Sequence, residues 1–223
     1  MVKKVLIVED SDNINEGIKA FLNRIEVQRL DQVQYCDDAI LKIKRAAYDN
    51  DPYDLLITDL SFEKDHREQK ITSGEDLVRT LREEQNQIPI IVYSIDDRLE
   101  RVRRLVKEYK IQAYVCKWRR GLNDLKKAIE CLKSDDQIPF LSSQVKKAFQ
   151  TSQDKDINDY DIQLLEKLAL GYSQSQIRAF FKEYDIKPNS ISSIEKRLNR
   201  LKELFRANNI THLFSVVKDL GVI

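Results

Sequence analysis

Apolar residues in the first 133 positions follow two alternating patterns. Short continuous runs occur at residues 5–8, 54–58, 88–93 and 111–116, with a weaker strand at Val33, Gln34 and Tyr35. Between them lie stripes at helical spacing: Ile14, Ile18, Phe21, Leu22 and Ile25; Ala39, Ile40, Ile43, Ala46 and Ala47; Leu77, Val78 and Leu81; Leu99, Val102, Leu105 and Val106; Leu122, Leu125, Ile129 and Leu132. Continuous runs, unlike alternating ones, indicate strands buried on both faces. Five strand–helix repeats therefore predict a parallel sheet with helices on both sides, right-handed crossovers and ligand chemistry at the carboxyl ends of the strands.

The pattern weakens after residue 133. Polar stretches at 134–137 and 151–156 flank a short apolar segment, and the whole reads as a linker containing some helix. From 158 onward every strong period is helical, over about 159–170, 173–183, 189–206 and 210–220. The chain thus divides into an α/β domain (1–133), a linker (134–157) and a small all-α domain (158–223). A hydrophobic fraction of 42% leaves enough apolar residue for cores without disulfides or structural metal.

No apolar run approaches the ~18 residues of a membrane span. The run at 5–8 turns acidic too quickly for a signal sequence. Cys36, Cys116 and Cys131 show no CxxC spacing, and His66 and His212 complete no zinc pattern with them, so three reduced thiols and a cytoplasmic location are expected. Net charge is +1, and residues 158–223 hold 10 Lys and Arg against 8 Asp and Glu. A nucleic-acid partner must therefore be argued from a local basic face.

Placed on the strand ends, the ionisable residues converge. Glu9 and Asp10 follow the first run, Asp59 the third strand, and Ser94 and Lys117 the fourth and fifth. Neighbouring carboxylates repel unless a cation intervenes, and hard oxygen ligands suit Mg²⁺. An aspartate beside Mg²⁺ can attack a phosphoryl donor and become an acyl phosphate, with metal and lysine offsetting charge and the Ser94 hydroxyl bonding a phosphoryl oxygen. Singly, acids at strand ends also read as turn formers or helix caps. Their combination in chain order is far more specific.

The segments VLIVED (5–10), LLITD (55–59), GEDL (74–77), PIIVYS (89–94) and AYVCK (113–117) carry a family likeness: residues 3–133 resemble the receiver domain of two-component response regulators. The resemblance implies a flavodoxin-like fold with a five-stranded parallel sheet. It implies Asp59 as phosphoacceptor, and Glu9, Asp10, Asp59 and the Ser61 carbonyl as Mg²⁺ ligands. It also implies Ser94 and Tyr114 as a switch pair, Lys117 as the phosphate-binding lysine, and a histidine kinase as donor. Such a protein assists its own phosphorylation but is not a turnover enzyme. Taken without the family, Tyr114 reads as a half-buried strand aromatic; its family position favours the switch role. Three departures stand out. Ile95 replaces a small residue and threatens to crowd Ser94. Trp118 replaces a proline, and since a cis bond before it would cost ~3 kcal/mol, the loop is expected to take another path. The loop at 61–72 is long and charged, either covering the site or forming a solvated insertion.

In the C-terminal part, Gly171 suits a helix end, and Ser173 with Gln176 three residues later suits a helix start. Ile177, Phe180 and Phe181 form one apolar face. A further helix opens at Pro188-Asn189-Ser190, with Ile191, Ile194, Leu198, Leu201 and Phe205 as its core stripe and Ser192, Ser193, Lys196, Arg197, Asn199 and Arg200 elsewhere. Two short helices and a turn fit a helix-turn-helix with a basic reading face, though a solvated helical face fits as well. LLEKLALGYSQSQIRAFF (164–181), Ser190-Ile191, DLGVI (219–223) and FLSS (140–143) make this part similar to the LuxR/NarL-type helix-turn-helix. That resemblance implies double-stranded DNA as partner, a homodimer on two half-sites, and contacts from Asn189, Ser190, Ser192, Ser193, Lys196, Arg197 and Arg200. An extended turn at 183–185 and the exchanged polarity of Ile194 and Glu195 depart from the pattern. The expected function is a phosphorylation-controlled transcription factor. A phosphorylation-independent regulator and an adaptor whose helical domain binds protein are the competing readings.

Overall fold

A computed structural model describes residues 2–25, 27–63, 65–132, 138–154 and 157–223. Its contacts divide the chain into two units, Met1–Asp97 with Arg104–Ser142, and Arg98–Arg103 with Ser143–Ile223.

The first unit alternates β1 (Lys4–Val8), α1 (Asp12–Arg24), β2 (Arg29–Val33), α2 (Cys36–Tyr48), β3 (Leu55–Thr58), α3 (Gly74–Glu83), β4 (Ile90–Ser94), α4 (Leu99–Lys107), β5 (Ala113–Cys116), α5 (Gly121–Cys131) and β6 (Phe140–Leu141), with α4 shared between the units. All strand pairs are parallel, in the order β2-β1-β3-β4-β5-β6. Successive strand residues point to opposite faces, so a continuous apolar run fills two cores. Val5, Ile7, Ile57, Ile91 and Val115 pack with Ile18 and Leu22 of α1 and Leu125 and Ile129 of α5. The opposite set, Leu6, Val8, Leu56, Ile90, Val92 and Tyr114, is fully buried as well.

Two sequence expectations are corrected. The sheet has six strands, not five: Phe140 pairs with Ala113 and Leu141 with Tyr114, a two-residue strand too short to show any period. The weak strand lies at Arg29–Val33 and not at 33–35, with Tyr35 at the N-cap of α2. As an edge strand β2 is only partly covered, and Arg29, Asp31 and Gln32 mask its pattern. Cys36 and Cys116 are buried, and burial pushes the Cys116 thiol up to about 12, so it stays protonated.

The second unit contains α6 (Ser143–Asp154), α7 (Asp159–Ala169), α8 (Gln174–Glu183), α9 (Ile191–Leu204) and α10 (Ile210–Asp219). Helix α6 occupies much of the stretch read as linker, while 134–137 and 155–156 lie outside the described residues. Capping boxes at Asn158 and Ser173 start α7 and α8. Helix α7 ends through Gly171 at φ +83°, where Tyr172 N–H reaches the Lys167 carbonyl at 3.0 Å. The extended turn after α8 is the same type of stop built on Asp185 at φ +50°, with Ile186 N–H donating to the Phe181 carbonyl at 2.7 Å. Ile162, Leu165, Ile177, Phe181, Ile194, Leu198 and Leu213 form the unit's core.

Gly74 fixes how α3 leaves the end of β3. Its N–H donates to the Leu60 carbonyl at 3.1 Å, and a β-carbon there would sit 1.7 Å from the Asp59 carbonyl oxygen. Gly17, exposed within α1, has nothing within 4 Å of such an atom. Gly74→Ala should therefore lower stability by at least about 2 kcal/mol through overpacking, while Gly17→Ala raises it by about 0.5–1 kcal/mol through helix propensity. Urea unfolding followed by fluorescence of Trp118, the chain's single tryptophan, checks both.

Candidate functional site

Register sets the acidic end: Val8 lies opposite Thr58, Thr58 opposite Val92 and Val92 opposite Tyr114, while β5 runs two residues further to Cys116, an offset that the long Lys117 side chain spans. The residues just beyond, Glu9, Asp59 and Lys117, then meet. The Lys117 ammonium lies 2.7 Å from Asp59 Oδ2 and 2.5 Å from Glu9 Oε2. All three side chains are almost fully buried, at 6%, 8% and 2% exposure for Lys117, Asp59 and Glu9. The other Asp59 oxygen accepts from the Leu60 N–H at 2.6 Å. Burial pushes the Glu9 carboxyl above its usual range, opposed by the Lys117 ammonium and reinforced by the Asp59 charge. The buried Asn15 amide donates to the Glu9 carbonyl at 2.7 Å, fixing the turn into α1.

Asp10 lies beside this trio, and its Oδ2 accepts from the Glu63 N–H at 2.6 Å. Ser61 is exposed and bridges to Ser73 across the following loop. Ser94 is fully buried, its Oγ accepting from Asp96 N–H at 3.3 Å. Tyr114 is also fully buried, not half-buried, and its hydroxyl donates to the Asp96 carbonyl, so both residues of the expected switch pair hold the same loop.

The model of the response regulator receiver domain family matches residues 5–130. The chain belongs to that family. RcsB structures resemble the chain in fold. A complex of two RcsB dimers with two parallel DNAs is 19% identical over 100% of both chains, with a TM-score of 0.62. An RcsB–DNA complex is 20% identical, again over 100% of both, with a TM-score of 0.63. RcsB from Salmonella enterica serovar Typhimurium, bound to promoter rprA with the phosphomimetic BeF3-, is 19% identical over 99% of this chain and 100% of that one, at 0.60. No curated protein matches the chain.

The receiver's departures now have a geometry. Ile95 is 65% exposed and turned to solvent, so its bulk does not press on Ser94. The Lys117 loop turns without proline: Trp118 N–H donates back to the Cys116 carbonyl at 2.9 Å, a three-residue turn, while Lys117 N–H bonds the Ser94 carbonyl at 2.8 Å. Trp118 faces outward at 54% exposure, yet the turn still delivers the lysine to Asp59.

The long loop is tied down. The Arg67 guanidinium grips both oxygens of Asp38 at 2.9 and 2.6 Å and lies 4.2 Å from the Tyr35 ring centroid. The Tyr35 hydroxyl donates to Asp65 at 2.5 Å. Asp37 accepts from Lys70 N–H at 2.9 Å and Ile71 N–H at 3.2 Å. Sequence reasoning missed Tyr35, Asp37 and Asp38. Two acids in a helix's first turn read as partners of the helix dipole, and nothing in their spacing points to a loop thirty residues away.

In the helical unit, the residues expected to touch DNA divide by role. Ser190 is the N-cap of α9, its Oγ accepting from Ser193 N–H at 3.1 Å and lying 2.7 Å from Ser193 Oγ. Asn189, Ser193 and Arg200 are half-buried, whereas Ser192, Lys196 and Asn199 form an exposed stripe. Arg197 turns inward: its guanidinium makes two bonds to Asp161, one of them 2.6 Å, and Asp161 is fully buried at the start of α7. Arg197→Ala would strand a buried carboxylate and should cost the helical unit about 3 kcal/mol. Thermal unfolding followed by helical circular dichroism measures the loss.

Proposed function

We propose that the chain is a phosphorylation-controlled, DNA-binding response regulator of the cytoplasm. Asp59 accepts a phosphoryl group from a histidine kinase, and a homodimer engages double-stranded DNA through residues 158–223, which 134–157 join to the receiver. The observation that carries this reading is the buried Lys117 ammonium between Asp59 and Glu9. No helix of the described residues is long and apolar enough to cross a membrane.

Hydrogen bonds from Leu60 N–H and Lys117 hold the Asp59 carboxylate in place. One of its oxygens forms the new P–O bond as the donor's P–N bond breaks, the electron pair leaving with the imidazole. Lys117 then pairs with a phosphoryl oxygen, and the Ser94 hydroxyl donates to another. The Asp96 backbone holds both Ser94 Oγ and the Tyr114 hydroxyl, so a Ser94 shift reaches Tyr114 through a single residue.

Among the described residues no His, Cys, Asp and Glu cluster stands ready-made for a metal, and Lys117 holds Glu9 and Asp59. The donor set nonetheless consists of carboxylates and a backbone carbonyl, the chemistry of a hard cation. Glu9, Asp10, Asp59 and the Ser61 carbonyl would hold Mg²⁺, which when bound offsets charge on the transferring group.

DNA binding rests on the helix-turn-helix of α8 and α9 with its exposed Ser192, Lys196 and Asn199, and on RcsB relatives of like fold that hold DNA. In this reading Asn189, Ser192, Ser193, Lys196 and Arg200 face DNA, Ser190 caps the helix and Arg197 positions it. Trp118 in place of the family's proline and the long loop after Asp59, tied to Asp38 through Arg67, favour a second reading, a regulator independent of phosphorylation.

With a small phosphodonor and Mg²⁺, the wild type should shift on a phosphate-affinity gel and Asp59→Ala should not. No shift in either supports the second reading. On a random-sequence duplex, Lys196→Ala should reduce the slope of log K against log salt by about 1. A wild type without salt-dependent binding points to a protein partner instead.

A further inference from the structure

Among the described residues, the loop at 61–73 bonds the acidic centre through the Glu63 N–H, which donates to Asp10 Oδ2 at 2.6 Å. Further anchors lie at the start of α2. The Arg67 fork grips Asp38 and lies over the Tyr35 ring, Tyr35 holds Asp65, and Asp37 takes two loop N–H groups. These anchors belong to β2's exit and the first turn of α2. The near contact at Glu63 and the far anchors at Asp65 and Arg67 thus lie within five residues of one another in the chain.

We propose that this strap positions the Asp10 carboxylate for a divalent cation, with Arg67 as the positioning residue; the inference rests on the receiver-site reading above. A carboxylate has two oxygens. The Glu63 N–H engages Oδ2 and sets the plane of the group, which leaves Oδ1 to ligate. Hydrogen bonds of this kind to a ligating carboxylate typically change metal affinity 10–100-fold. A backbone N–H can be placed accurately only if its loop is held, and here the hold comes from the bidentate Arg67–Asp38 pair, whose fork geometry a lysine would not reproduce.

The test uses the full chain and titrates Mg²⁺, then Mn²⁺, with Trp118 fluorescence and calorimetry as readouts. Arg67→Ala is expected to weaken cation binding about 10-fold with an unfolding midpoint unchanged within error, because Arg67 is an exposed side chain. The charge-reversed pair Arg67→Asp with Asp38→Arg should recover most of the affinity, a rescue that a general loss of charge would not give. Arg67→Lys should fall between. Wild-type affinity in Arg67→Ala overturns the strap inference alone. A wild type that binds no cation, or binds one as well after Asp10→Asn, overturns the receiver-site reading beneath it.

Discussion

One ammonium holds the centre of the receiver together. Lys117 sits between two buried carboxylates that could not otherwise share the end of a sheet, because desolvated like charges repel strongly. The arrangement also works in reverse: a buried lysine is tolerable only with anions to receive it. Each of the three groups is thereby a condition for the other two.

Parallel topology makes this possible. Strands β1 and β3 end at the same level and β5 two residues beyond it, so the residues just past each strand, Glu9, Asp59 and Lys117, come within side-chain reach. Gly74 extends the same logic to the helix that follows, letting α3 begin against the Asp59 carbonyl with no side chain between.

Much of this was legible in the sequence because the relevant signals are local. Continuous apolar runs mark the four inner strands, and the charged residues Glu9, Asp59 and Lys117 directly follow three of them. The signals that failed are those carried by distance or by context. Edge strand β2 has polar residues because it is half-covered, and β6 is two residues long and exists only through pairing with β5. The anchors Tyr35, Asp37 and Asp38 look like ordinary helix-start residues until the loop at 61–73 folds over them. Arg197 resembles its basic neighbours in every respect except its partner, which lies thirty-six positions earlier. Local chemistry told where cations are; only packing told which of them face solvent.

The inward turn of Arg197 separates two properties within a single helix. Its bond to Asp161 braces α9 against α7, so the pitch of the helix is set from within the unit and owes nothing to the outward stripe of Ser192, Lys196 and Asn199. Substitutions on that stripe can accumulate without loosening the scaffold. That outward face is therefore free to drift over evolutionary time at little cost in folding, and duplicated copies could acquire different surfaces while keeping one architecture.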